Sequence, residues 1–383
     1  MNQQIRRREA AGVIPAGETI ADNEDLLTEI LERLPAKSTI RFKCVSNNWL
    51  NLLSDSQFAT NHSTRNHTPS SISGFYFHTH GTFYFHTHGT FDRASSFSLA
   101  RCRGNLPPVS FLHGLDGEYE VRVRVLHSRN GLLLCCLLSA TEGFATDGYL
   151  VCNPTTKKYR LLPQPVRRRL TAGYLAFDPT KSSLHYKVVL FSLGSSLVDI
   201  YSSQSLCWRE VSLDQEYGAI HSVFWNGAIH WLTHDDIVRR FDVDVEKIIA
   251  VPNPPLRQAV RPKKVMYFGE CGGGLILIWS SSWYPSEFRI LELEKDYSRW
   301  VINARVDLNP LIAEFPQMES RYFILGTVEG ENKRGFALLL ASSTRIISYN
   351  LKNMTWDVLH CLLVGDFGKQ CSAFPFVETL FPV

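Results

Sequence analysis

One spacing recurs along the chain and restricts the fold more than any other feature. An apolar residue suited to a strand is followed seven positions later, across a polar turn, by an aromatic or aliphatic one. The pairs are Cys152 and Tyr159 in VCNPTTKKYRLLP, Tyr201 and Trp208 in IYSSQSLCWREV, Phe241 and Ile248 in RFDVDVEKIIAVP, Leu293 and Trp300 in LELEKDYSRWVI, and Tyr349 and Trp356 in SYNLKNMTWDVL. Two strand signals joined by a short polar turn make a hairpin, so these are five copies of one hairpin. Their second members lie 49, 40, 52 and 56 residues apart, close to the roughly 40 to 50 of a propeller blade. A second hairpin signal precedes several of them: RNGLLLC at 129–135, WNGAIHWL at 225–232 and CGGGLILIW at 271–279. There Asn-Gly or Gly-Gly supplies the positive φ of a tight turn. Two hairpins per period make one four-stranded blade, and the 309 residues from 75 to 383, at about 50 per blade, predict a ring of six or seven blades. A β-sandwich or two stacked sheets would also use hairpins. The regular period favours the ring, whose closure protects the edge strands.

The N-terminal part has a different period. Leu26, Leu27, Ile30, Leu31 and Leu34 share a helical face and Pro35 stops the helix, with Asp22 or Asn23 as N-cap and Glu24 and Asp25 in the first turn. A second helix after Ser38 is expected to place Ile40, Phe42 and Val45 inward, and a third after Ser46 to carry Trp49, Leu50, Leu52 and Leu53. Three short helices make a thin core, and these apolar residues exceed what they can cover for one another, so part of that surface is expected to dock on something else. The chain is thus expected to be α then all-β: a disordered tail at 1–20, a three-helix domain at 21–62, a linker at 63–74 and a β-propeller-like domain at 75–383.

Composition excludes several function classes. Lys plus Arg number 40 against 37 Asp plus Glu, a net charge of +3, and no basic stripe threaded with aromatics is present, so no nucleic-acid partner is expected. The longest apolar runs, such as GLLLCCLL at 131–138, fall short of the roughly 20 residues that span a bilayer. The opening MNQQIRRREAAG lacks the apolar core of a signal peptide. The expectation is a soluble, intracellular protein with no membrane contact. Nine cysteines with no CxxC pair fit neither a disulfide framework nor a zinc site. They are expected to be reduced and mostly buried, with Cys135 and Cys136 on opposite faces of one strand.

Residues 25–62, DLLTEILERLPAKSTIRFKCVSNNWLNLLSDSQFATNH, resemble an F-box of the large plant class. The resemblance rests on a leucine-rich first helix, then Leu34, Pro35, Lys37, Ser38, Arg41, Phe42, Lys43, Cys44, Val45, Ser46, Trp49, Ser54, Asp55, Phe58 and His62. The remainder resembles the F-box-associated domain of the same proteins through GLLLC, NPTTKKYRLLP, the AFDP tetrad at 176–179 and the repeated Trp-bearing strands. This implies docking on the Skp-type adaptor of a cullin-RING ubiquitin ligase, with a target protein held by the C-terminal domain. Adaptor contact is then assigned to Leu26, Leu27, Ile30, Leu31, Leu34, Pro35, Lys37, Ser38, Arg41, Phe42, Val45 and Trp49. Asp22-Asn23 stands where family members usually have Leu-Pro, Ser56 where they prefer Pro, and Asn48 where they often have Lys. Two functions follow: a non-catalytic substrate receptor of the ligase, in the nucleus and cytoplasm, or a propeller interaction protein acting outside a ligase.

FYFHTHGT occurs twice in succession, at 75–82 and 83–90. Four imidazoles can bind a transition metal. An exact copy without carboxylates reads instead as a tandem duplication, in which one copy forms the first propeller strand and the other lengthens a loop or edge. The arginine triplets at 6–8 and 167–169 read as solvated charge. His230, His234, Asp235 and Asp236 have no nucleophile motif beside them and read as blade and loop residues. GECGGG at 269–274 lacks the phosphate-loop pattern and reads as a hairpin turn. No cofactor or metal is expected.

Overall fold

In three dimensions the seven-residue spacing becomes a register. Cys152 stands opposite Tyr159, Tyr201 opposite Trp208, Phe241 opposite Ile248, Leu293 opposite Trp300 and Tyr349 opposite Trp356, each pair facing across antiparallel strands. The turns between them share their chemistry. The side-chain oxygens of Asn153, Asp242 and Asn350, one position after the first member, accept backbone N–H bonds from the next turn residues. Lys157, Leu206, Glu246 and Met354 then take φ of 57, 58, 60 and 56° to reverse the chain. An Asx side chain that mimics the backbone followed by one left-handed residue is a complete turn mechanism.

The computed structural model describes residues 23–66, 72–80, 97–101, 121–139, 146–165, 172–179, 181–182, 184–256, 264–281, 285–329, 336–361 and 370–383. Strands β1 (Ile72–His80) and β2 (Phe97–Arg101) come first. Five four-stranded blades follow. Blade 1 is β3 (Val121–Arg129), β4 (Leu132–Ser139), β5 (Thr146–Asn153) and β6 (Lys158–Leu161). Blade 2 is β7 (Ala172–Ala176), β8 (Lys187–Phe191), β9 (Leu197–Ser202) and β10 (Cys207–Ser212). Blade 3 is β11 (Ala219–Trp225), β12 (Ala228–Thr233), β13 (Val238–Asp242) and β14 (Lys247–Ala250). Blade 4 is β15 (Lys264–Cys271), β16 (Gly274–Ser280), β17 (Glu287–Leu293) and β18 (Trp300–Asp307). Blade 5 is β19 (Tyr322–Glu329), β20 (Phe336–Ser342), β21 (Arg345–Asn350) and β22 (Thr355–Cys361), and β23 (Gln370–Val377) ends the series.

The described residues therefore form five complete blades, not the six or seven expected. Between blades 5 and 1 lies a three-stranded sheet in the order β2-β1-β23. Counting residues per blade overestimated the number because the block ahead of β3 contributes two described strands and takes its third from the far end of the sequence. The inner strands β23, β3, β7, β11, β15 and β19 contact one another in turn around the ring. Phe75 packs with Leu325, Leu339 and Ala341 of blade 5, while Tyr76 and Phe376 pack with Val125, Leu133 and Cys135 of blade 1.

The second strand of a blade lies between neighbouring sheets and is covered on both faces, which is why β4, β12, β16 and β20 read as nearly unbroken apolar runs. Cys135 and Cys136 indeed enter different cores. The free cysteines include Cys135, Cys136, Cys152 and Cys271, which are buried, and Cys44, Cys207 and Cys361, which are exposed. The Asn-Gly turns take positive φ at Asn130, Gly131, Asn226 and Gly227, and the Gly-rich run turns at Gly272 and Gly273. Two recurring tryptophans also clasp neighbouring blades. Trp208 Nε1 donates to the Pro163 carbonyl at 2.7 Å, and Trp300 Nε1 to the Pro252 carbonyl at 2.7 Å.

The first FYFHTHGT copy enters β1, as expected, with Phe75 to His80 paired against β23. The second copy and both arginine triplets lie outside the described residues. His230 is a buried residue of β12, while His234, Asp235 and Asp236 form the β12–β13 turn.

Among the described residues the N-terminal region has four helices rather than three: α1 (Glu24–Leu31), α2 (Ala36–Phe42), α3 (Asn47–Ser54) and α4 (Ser56–Asn66). The additional helix starts because Asp55 Oδ1 accepts from the backbone N–H of Gln57 and Phe58, an N-terminal cap on an otherwise polar segment. Helix thus runs to Asn66 and strand resumes at Ile72, inside the 63–74 stretch expected to be linker. A further helix, α5 (Asn309–Glu314), sends Leu311 into the core between blades 4 and 5. No helix among the described residues is long and apolar enough to cross a membrane.

Candidate functional site

Helix α1 is capped by Asn23, whose Oδ1 accepts from Leu26 N at 3.1 Å. Asn23 therefore starts the helix through its side chain. One turn apart, Leu27 and Leu31 are 3% and 1% exposed and enter a core with Ala36, Leu53 and Phe58. Leu26 and Ile30, rotated by one residue, remain 48% and 42% exposed. At about 100° per residue the apolar arc of α1 is wider than its contact with the other helices. Leu27 and Leu31, expected to serve both the helical core and the adaptor surface, pack in that core, and Leu26 and Ile30 are what the helix presents outward.

The other assigned positions divide similarly. Pro35, Arg41 and Val45 are exposed, and Leu34, Lys37, Ser38, Phe42 and Trp49 half-buried. Phe42 and Trp49 meet edge to face, with centroids 5.6 Å apart. Val45, expected inward, points outward because it lies in the turn that follows the end of α2 at Phe42, and Leu50 of α3 is exposed as well. Leu50 is thus an exposed apolar residue that the sequence assignment missed. Lys37 is held by Glu378 at 2.7 Å.

The helices are fastened by polar contacts. Glu29 accepts from Arg65 at 3.0 Å and Glu32 lies 3.3 Å from the same guanidinium, joining α1 to α4. The hydrogen bond from Arg65 holds the Glu29 carboxyl below the usual range, with help from the charge of Arg33. His62, buried, places Nε2 2.7 Å from the Leu34 carbonyl and 3.4 Å from Thr39 Oγ1. Burial lowers its pKa.

Against the propeller, Leu380 completes the helical core. Residue 380 follows the end of β23, so the helices sit on the face where the inner strands end. Each blade is a four-stranded meander that starts at its inner strand, so every blade-to-blade connection lies on the opposite face. On that face a cleft of about 300 Å³ opens between the β10–β11 connection and blade 3, lined by Asp214, Gln215, Ile237, Val238, Arg239 and Ile249 among others.

Geometry therefore defines a small helical unit seated on one face of a β-propeller whose other face carries the blade-to-blade loops. An F-box domain model matches residues 23–61 and an F-box associated beta propeller domain model matches residues 96–325. F-box protein At5g07610 of Arabidopsis thaliana is 32% identical, the match covering 99% of this chain and 96% of that protein. F-box protein At5g49610 of the same species is 31% identical over 69% of this chain and 75% of its own length. The chain belongs to the plant F-box proteins that carry a C-terminal F-box-associated β-propeller domain.

Proposed function

We propose that this protein is the substrate-recognition subunit of an SCF-type cullin-RING ubiquitin ligase, its F-box docking on the Skp-type adaptor and its propeller holding the target. The observation that carries this reading is the split of α1: Leu26 and Ile30 stay exposed one turn apart although the helix already packs through Leu27 and Leu31. Exposed aliphatic residues on a helix with a filled inner face suit an apolar partner groove. The loop-bearing face lies away from the F-box and is the surface offered to the target. No chemistry is required of this chain, since holding the target near a charged conjugating enzyme supplies the rate by proximity.

The test is adaptor titration with the full chain. Each of the two side chains has about half its surface left to bury, worth about 1 kcal/mol apiece. Leu26→Ala with Ile30→Ala should therefore weaken adaptor binding about 30-fold, with the β signal in circular dichroism retained. An unchanged affinity would remove the mechanism from the receptor reading. A fluorescent fusion seen only outside the nucleus and cytoplasm would contradict the compartments this role requires.

A further inference from the structure

The F-box does not hang from the propeller by one covalent connection. Its polypeptide enters β1 at Ile72, and Ile72 is the β-sheet partner of Val377, the last residue of β23. The segment that leaves Val377 therefore emerges beside the one that leaves the F-box, and it turns back on the helices. Glu378 reaches Lys37 at 2.7 Å. Leu380 is buried among Leu27, Leu31, Ala36, Leu53 and Phe58, and its N–H donates to Ser63 Oγ at 2.9 Å. Those two residues are separated by 317 positions.

Thr379 and Phe381 serve the propeller. Asn153, fully buried in blade 1, donates through Nδ2 to the carbonyls of Thr379 and Phe381 at 3.0 and 2.9 Å. The Phe381 ring meets Phe177 at 5.0 Å and joins the core between blades 1 and 2. Leu380 thus joins the helical core while the residues on either side of it are held by the blades.

We propose that residues 378–381 are a clasp that supplies the last core residue of the F-box and fixes it to blades 1 and 2, so that closure of the ring through β23 is also the event that finishes the adaptor-docking module. Before β23 pairs with β1, Leu380 has no fixed position, and the space among Leu27, Leu31 and Phe58 lacks its filling. Once paired, the two attachment points prevent the F-box from swivelling and set a constant distance and angle between adaptor and target face. The adaptor consequence rests on the receptor reading above; the clasp itself does not.

Segment-resolved hydrogen exchange on the full chain tests it. Leu380→Ala should accelerate exchange in α1–α4 about 100-fold, as expected for a core Leu truncation felt by one locally opening unit, while the strands of blades 2 to 5 keep their protection. Leu380→Met, which conserves volume, should restore most of that protection. Phe376→Ala, inside β23 and without contact to the F-box core, should also loosen α1–α4 if ring closure finishes the module. Helices α1–α4 that exchange equally fast in the parent and in Leu380→Ala would overturn the clasp, as would loosening by Leu380→Ala of all blades together. Adaptor titration of the same variants should fall in step with exchange. A parent chain that binds no adaptor but shows the exchange pattern would sink the receptor reading and leave the clasp standing.

Discussion

Gly131 shows how one residue can let two distant segments of the chain meet. Its φ of +82° belongs to the Asn-Gly turn between β3 and β4, and a Cβ there would collide with the Thr379 side chain and lie 2.5 Å from the Val377 carbonyl. The Asn-Gly dipeptide alone announced the positive φ, whereas the close approach of residues 377 and 379 could not be read locally. Gly131→Ala adds backbone strain to a steric clash, and a loss of at least about 2 kcal/mol is expected. Chemical denaturation checks it, and a loss below 0.5 kcal/mol, roughly the surface-substitution range, would show that the turn is not pressed against that segment. His62 gives a pH dependence of definite sign. Burial lowers its folded pKa below 6.5, with partial relief from the Leu34 carbonyl and from Glu32, and its Nδ1 has no hydrogen-bond partner. The unfolded chain therefore binds the proton more readily. F-box stability should be full above about pH 6.5 and decline as pH falls from there towards the folded pKa, by at most about 1.4 kcal/mol per unit. Exchange in α4 that is no faster at pH 5.5 than at 7.5, after correction for intrinsic rates, would refute this.

Among elements, the hairpins were legible and the contacts between blades were not. A register of seven, an Asx residue and one left-handed position are all interactions within eight residues, so they leave a mark on any short window. The Trp208 clasp on the Pro163 carbonyl spans 45 residues, and nothing near Trp208 signals it. Trp208→Phe keeps the aromatic contacts with Tyr149 and Tyr201 but removes the donor. A loss of about 1 to 2 kcal/mol is expected, visible as a fall of a few degrees in Tm. An unchanged Tm would mean that water replaces the indole N–H without cost. The duplicated segment makes a further prediction at this scale. Since the first copy enters β1, deleting residues 83–90 should cost under about 1 kcal/mol, as for shortening a surface connection. A drop of ten degrees or more in Tm would refute that.

At the scale of the molecule, blades 1 and 4 face each other across the ring, and Arg129 of β3 reaches Glu270 of β15 at 2.7 Å. The pair links two blades that no sheet hydrogen bonds join. The Arg129 guanidinium also lies over Phe224 of blade 3, and Glu270 offers its backbone carbonyl to Thr327 of blade 5. Because both side chains are only a quarter to a third exposed, removing one leaves a poorly solvated charge. Glu270→Ala should lower stability by about 1 to 3 kcal/mol, with a smaller loss for Arg129→Met with Glu270→Ala than for the single change. A double variant as destabilised as the sum of the single changes would show that the charges do not interact.

The amino-acid sequence by itself determined the hairpins, the Asn-Gly and Gly-Gly turns, a helical start at Asp22 or Asn23 and the family of both units, because each depends on residues within a turn or two of one another. Tertiary structure alone decided that five blades are completed by a three-stranded sheet, that Leu27 and Leu31 turn inward while Leu26 and Ile30 turn outward, and that Leu380 finishes the F-box. The physical reason is common to all three. A helix or strand can be amphipathic over a wider arc than any one neighbour covers, and which part of the arc is buried is settled only when segments hundreds of residues apart close on each other.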